Sequence, residues 1–430
     1  MRTKSRHYAA AAAFLGFAWG QIFGAWSDKT AGLPSLEYFS AQKLGSDNYQ
    51  WTIAQDKLGR LFVGGMGLIV YDGQNWTTHP IGSSYAVRTI QFGDNNRIWV
   101  GGANEIGYVD EPALGDFKYH SLLDKLPESE RPVGEIWGSG MVGTKVYFMG
   151  REKLFCWDGT AFRIWPFPSQ SRLFPLKLGN EIWFQHLETG LYRLTETGPK
   201  LEIDHSQLPN SGILGLSKDS SGLLLASSQG FYRPGAPPRQ EFSEELNRYI
   251  IENRLASYAT MPDGTHMIGT VNGGLAVVGA DGQTQRILDT SDGLPSQAVY
   301  SITVDPNGDI WCTTVSGIFR MEAKGWITLY NARNGLNGGP TSLAMHRDRF
   351  YVSTPSGVFS QLPATGHAAT FAAQTQFKAL YTALFFHGEG LLMGRHGGLD
   401  YYDGSTIRPI HTRWICAHAP SGSPSSASVA

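Results

Sequence analysis

The chain has 430 residues, with 35 Lys and Arg against 37 Asp and Glu, only 17% charged residues and three cysteines. Near-balanced charge with no basic run removes the electrostatic footprint that nucleic acid requires, so nucleic acid is not an expected partner. Its 52 glycines, about 12% against an ordinary share of about 7%, accompany 41% hydrophobic residues; this combination implies many tight turns between short strands and an all-β chain.

The first elements belong to targeting. Arg2, Lys4 and Arg6 precede an uncharged stretch over 8–25, the layout of a secretory signal peptide over residues 1–20. Cleavage is expected after Gly20, where Ala18 and Gly20 are small; cleavage at 25 is the poorer choice because Phe23 is bulky. An uncleaved membrane anchor is the rival reading, weakened by the glycines and Gln21. Later apolar runs are short and interrupted, so a periplasmic or secreted protein is expected.

From about residue 36 the chain repeats. Aligned on a turn, an apolar strand and a glycine that opens another strand, nine units place strand centres at Phe62, Trp99, Tyr147, Trp183, Leu224, Met267, Trp311, Tyr351 and Leu392. Their mean spacing of about 41 residues is that of a β-propeller blade of four antiparallel strands. Residues 293–330 show the grammar best: an alternating strand over 298–304, turn chemistry at Asp305-Pro306-Asn307-Gly308, and strands over 310–314 and 317–321. Trp99, Trp183 and Trp311 occupy equivalent second-strand positions and are expected to be buried. Residues 241–250 also have amphipathic spacing, which leaves a short helix open there.

Seven blades is a common ring size, and rings often close by lending their first strand to the last blade. Leu36 to Ser40 can play that part, giving a seven-bladed propeller over 36–323. Trp326 to Tyr330 would open a partial second propeller of two blades over 324–416, followed by a small, polar, disordered tail over 417–430. Cys156, Cys312 and Cys416 have no paired spacing; the first two lie in strand-like runs and read as small buried hydrophobes.

These residues carry a resemblance. Gly293-Leu294-Pro295-Ser296, Val299, Asp305, Gly308, Ile310-Trp311 and Gly317-Ile318 resemble the two-component regulator propeller family of bacterial periplasmic sensors. Residues 67–76, 104–111 and 119–128 resemble its triple-tyrosine-type hybrid subgroup, and the likeness covers roughly 36–414. In such proteins two tandem propellers precede a β-sandwich, a membrane helix and an output module. By that measure this chain is expected to be a truncated member, with signal transduction through a membrane signalling partner.

Motifs of chemistry are few. Gly138 to Gly143 spell a dinucleotide fingerprint with Asp158 downstream, but Lys145 to Met149 read as a strand where a helix should begin, so a blade turn is predicted and no cofactor is expected. His346-Arg347-Asp348 resembles a kinase catalytic loop but has Ser353 where a metal-binding Asn is required, and no metal site is expected. Asn75-Trp76-Thr77 spells a glycosylation triplet that a blade turn explains equally well. Signatures of zinc peptidases, serine hydrolases and calcium sensors are absent from the sequence, and no catalytic residue is assigned.

Propeller topology supplies the ligand argument. Turns between second and third strands share a face with the segments leading into each first strand, around the central channel. In the first ring those turns hold Asn104, Glu105, Arg151, Glu152, Gln185, His186, Gln229 and Asn272, polar side chains suited to a polar small molecule such as a glycan. The leading reading is an extracytoplasmic ligand-sensing propeller and not an enzyme. A glycoside hydrolase or polysaccharide lyase on a propeller scaffold is the alternative, and a protein-interaction platform the third reading.

Overall fold

In the computed structural model, residues 32–45, 50–82, 86–93, 97–167, 173–322, 328–347, 349–362, 368–387 and 389–410 are described. The expected signal segment, Trp326, Asp348 and residues 411–430, with Cys416 and the tail, lie outside them. Strands dominate the regular structure of the described residues, and nine sheets contain four strands each.

The grammar of a blade follows from its turns. In the seventh, Asp305 Oδ1 accepts from the backbone N–H of Asn307 and Asp309 at 2.8 and 2.9 Å, and Gly308 adopts a positive φ of 90°. This Asx turn reverses the chain between Ser301–Val304 and Ile310–Thr314. The other Asp305 oxygen accepts from Trp311 Nε1 at 3.2 Å, and Arg320 on the third strand donates to Asp309 at 2.5 Å. Asp56 repeats the device in the first blade, accepting from the N–H groups of Leu58 and Arg60 at 2.9 Å.

Seven sheets form a β-propeller, because the apolar residues of each blade are shared with both neighbours. Phe62, Leu68 and Val70 of the first blade pack with Val87, Ile98 and Val100 of the second. Corresponding clusters join second to third, third to fourth, fourth to fifth, fifth to sixth and sixth to seventh. A last one joins Trp311 and Ile318 of the seventh blade to Ile53, Leu61 and Ile69 of the first. Trp99, Trp183 and Trp311 are buried in three of these clusters, each facing the following blade.

Closure comes from the N-terminal segment. Leu36–Ser40 pairs antiparallel with Gly317–Met321, from Leu36 opposite Met321 to Ser40 opposite Gly317, as the fourth strand of the seventh blade. Phe39 on this strand is buried with its ring 5.9 Å from Trp311 and 5.4 Å from Trp76, tying the seventh blade to the first. Gly317 has a φ of 144°, and a Cβ there would lie 2.1 Å from the Phe39 carbonyl oxygen, so only glycine lets the closing strand approach. Hydroxyls lace neighbouring first strands together: Thr89 with Ser139 at 2.6 Å, Ser257 to the Val299 carbonyl at 2.9 Å, and Thr303 to the Ile53 carbonyl at 2.8 Å.

One detail differs from the sequence reading and one open alternative is resolved. Gly138–Val142 is the first strand of the third blade, with Gly143 in the turn that follows, where a turn over all of these residues was expected. Its glycines answer to packing, since a Cβ on Gly138 would meet Pro175 at 2.1 Å and one on Gly140 would meet Ile182 at 2.8 Å. Second, the open helix is present over Glu244–Asn253, started by Ser243, whose side chain accepts from the Leu246 N–H at 3.1 Å. It buries Leu246 and Ile250 against the fifth and sixth blades. Cys156 and Cys312 are buried free thiols inside interblade clusters.

The chain divides into two compact units, the larger spanning 34–327. The smaller contains two four-stranded sheets, beginning at Ser342–His346 and Tyr381–His387, around Ala344, Tyr351, Phe377, Leu391 and Tyr402. Within it Leu343, Met345 and Phe385 are exposed, at 63%, 46% and 57%. A ring shares apolar faces on both sides of every blade, whereas this two-blade unit leaves such side chains open. Limited proteolysis of the mature chain is therefore expected to leave a resistant core ending near residue 323; equal resistance through residue 410 would show one cooperative fold.

Candidate functional site

First strands of neighbouring blades lie side by side around the channel, so segments leading into them crowd one face of the ring. Second-to-third turns of the third and sixth blades pack against such lead-in segments of the next blade. Val299 N–H donates to the Thr270 carbonyl at 2.8 Å, Gly274 N–H to Gln297 at 2.9 Å, and Leu173 N–H to Gly150 at 3.2 Å.

Two predicted site residues, Asn104 and Gln185, perform this clasping themselves, while Glu105 and His186 are buried within their own blades. Asn104, at a φ of 55°, donates its N–H to the Gly134 carbonyl at 2.9 Å and accepts from the Gly134 N–H at 3.0 Å. Gln185 is buried; its Nε2 donates to the Ser211 carbonyl at 3.1 Å and its Oε1 accepts from Ile213 N–H at 2.7 Å, joining the fourth blade to the fifth. Glu105 is also buried, and accepts from the Ser121 hydroxyl at 2.5 Å. Burial, reinforced by the Glu105 carboxylate, pushes the nearby Tyr119 hydroxyl well above its usual value. His186 is buried, with Nδ1 2.8 Å from the Thr189 hydroxyl and its ring 5.6 Å from that of Phe167.

The remaining four are open to solvent. Arg151, Glu152, Gln229 and Asn272 are exposed, and their side chains make no hydrogen bond or ion pair among the described residues. Their backbones are held: Glu152 and Gln229 accept through their carbonyls from Phe167 N–H at 2.7 Å and Gln240 Nε2 at 3.5 Å, and Asn272 N–H donates to Asn253 at 3.2 Å. Among the described residues no hydrogen bond joins a candidate on one blade to a candidate on another, and no group of three or more metal-binding side chains gathers.

Residues that sequence reasoning missed stand at the starts of the first strands. Trp51 and Trp137 immediately precede first strands of blades one and three, and Arg88 occupies the corresponding position of blade two, where a bulge between Val87 and Thr89 displaces it by one residue. The Arg88 guanidinium lies 4.6 Å from the Trp51 ring and 4.1 Å from that of Trp137, and its Nε donates to Glu135. Phe174, leading into blade four, is 43% exposed with its ring 6.1 Å from Trp137, and Tyr300, the matching residue of blade seven, is 40% exposed. On the first strand of blade four, desolvation holds the Lys177 ammonium below its usual pKa. A tryptophan immediately before the first strand in blades one and three is the signal that could have found this arc.

Comparison with known proteins bears on the same region. Residues 293–316 match the model of the two component regulator propeller. The match contains the Asp305 turn and the Trp311 strand described above. No curated protein matches the sequence. Among solved structures, the extracellular domain of a hybrid two component system from B. thetaiotaomicron is 18% identical, with a TM-score of 0.51 over 88% of this chain and 53% of that one. A second such domain from the same organism is 16% identical, with a TM-score of 0.59 over 87% of this chain and 53% of that one. Virginiamycin B lyase from Staphylococcus aureus is 15% identical, with a TM-score of 0.51 over 69% of this chain and 99% of that one. At these identities the likeness establishes the β-propeller fold. The chain spans about half the length of the B. thetaiotaomicron domains it resembles.

A division of labour between clasping and open residues is measurable. Gln185→Leu strands the buried Ile213 N–H and is expected to cost about 1–3 kcal/mol in urea unfolding. Alanine at Arg151, Gln229 or Asn272 is expected to stay within about 0.5 kcal/mol of the parent. A neutral Gln185→Leu would remove the clasp from the account.

Proposed function

We propose that this protein is an extracytoplasmic ligand-sensing module of a bacterial two-component-type signalling system. The observation that carries the reading is the match of residues 293–316 to the two component regulator propeller, set in a ring whose other blades repeat the same turn-and-strand design. The likeness to extracellular domains of hybrid two component systems supports it. A signal peptide over 1–20 would deliver the chain to the periplasm or outside the cell. No helix among the described residues is long and apolar enough to cross a membrane.

In this reading the seven-bladed domain over 36–323 holds a polar ligand, a glycan or a smaller molecule, on the face shared by the turns and lead-in segments. Arg151, Glu152, Gln229 and Asn272 are the turn residues free to meet it, while Asn104, Glu105, Gln185 and His186 hold the turns in place. The partial second propeller over 324–416 passes the event to a membrane signalling partner. Binding without turnover is the proposed chemistry, since the turn residues with open side chains gather no catalytic set. Catalysis stays in the test because a lyase shares the fold.

Incubating the full chain with a panel of glycans, and following both melting temperature and product release, tests the proposal. A ligand that raises the melting temperature without being consumed is expected. Turnover would move the protein to the hydrolase or lyase class, and silence across the panel would favour a protein-interaction platform.

A further inference from the structure

The arc of aromatic residues around Arg88 joins three blades and leaves the Arg88 Nη groups without a described acceptor. An arginine flanked on both sides by indole rings, from the blades before and after its own, is held in one orientation before any ligand arrives. Glu135 takes the Nε proton, and no described acceptor takes the Nη protons. Exposed Phe174 continues the arc beyond Trp137, and exposed Tyr300 immediately precedes the first strand of blade seven as Trp51 does that of blade one. The exposed Phe174 and Tyr300 rings present apolar surface that a ligand can cover.

We infer that the mouth of the ring is a binding site for a carboxylate attached to a flat, C–H-rich body, the chemistry of a uronic-acid sugar, with Arg88 as the carboxylate receptor and Phe174 and Tyr300 as flanking platforms. The inference rests on the sensor reading above and narrows its ligand. Two Nη groups in a fixed plane match the two oxygens of a carboxylate. Glu135 beside the guanidinium cancels part of its charge, which favours a singly charged carboxylate over a doubly charged phosphate. Rings at either side offer C–H contacts to a sugar or to an aromatic acid, and these two sources must be told apart.

The test uses the full chain, with binding of trigalacturonate, benzoate and maltotriose read by calorimetry and by the change in total tryptophan fluorescence. Trigalacturonate is expected to bind and to weaken at high salt, while maltotriose is expected to be silent. Arg88→Lys, which keeps the charge but loses the planar fork, is expected to raise Kd about tenfold or more. Phe174→Ala and Tyr300→Ala change exposed side chains, so their melting temperatures should hold while Kd rises. Binding of benzoate without trigalacturonate would assign the aromatic-acid source and sustain the shared chemistry. Maltotriose binding alone, no binding of either carboxylate, or carboxylate binding indifferent to all three substitutions would overturn the site while leaving the sensor reading intact. That reading falls with turnover of a glycan, or with silence across the wider glycan panel.

Discussion

A propeller has no stable half-measure: each blade buries its faces only against neighbours, so the ring depends on the contact that makes its first blade adjacent to its last. Here that contact is the five-residue ladder between Leu36–Ser40 and Gly317–Met321, with Phe39 set against Trp311 and Trp76. A backbone ladder alone would add only modest net stability, because each hydrogen bond formed replaces one made with water. Its leverage comes from what it encloses, the apolar cluster between the seventh and first blades, and from removing a bare strand edge that would otherwise be open to other chains.

The same circular constraint decides which polar residues are available for function. Turns at the channel face must stay wedged against the next blade, and the protein uses side chains such as Asn104 and Gln185 to hold them there. Polar character at a turn is thus divided between clasping and display. At the starts of first strands, Trp51, Arg88 and Trp137 form an arc that joins three blades.

Blade order and turn positions were legible in the sequence because an Asp followed three residues later by Gly, then an apolar strand, encodes a local turn irrespective of the rest of the chain. Closure by Leu36–Ser40 was legible for a topological reason, as a strand without a blade of its own. The strand at Gly138–Val142 was misread because its glycines serve the approach of Pro175 and Ile182, residues more than thirty positions away that no local pattern reveals. For the same reason the sequence did not separate buried Gln185 from exposed Gln229, since burial at a turn depends on the neighbouring blade. The Arg88 arc stayed hidden because its members are far apart in the chain and a bulge shifts the arginine by one place.

Native-state hydrogen exchange tests ring closure most directly. If Leu36–Ser40 seals the ring, its ladder amides exchange only when the whole ring opens, at the same rate as those of Gly317–Met321 and with the same response to denaturant. Rapid exchange over residues 36–40, with 317–321 still protected, would contradict the account.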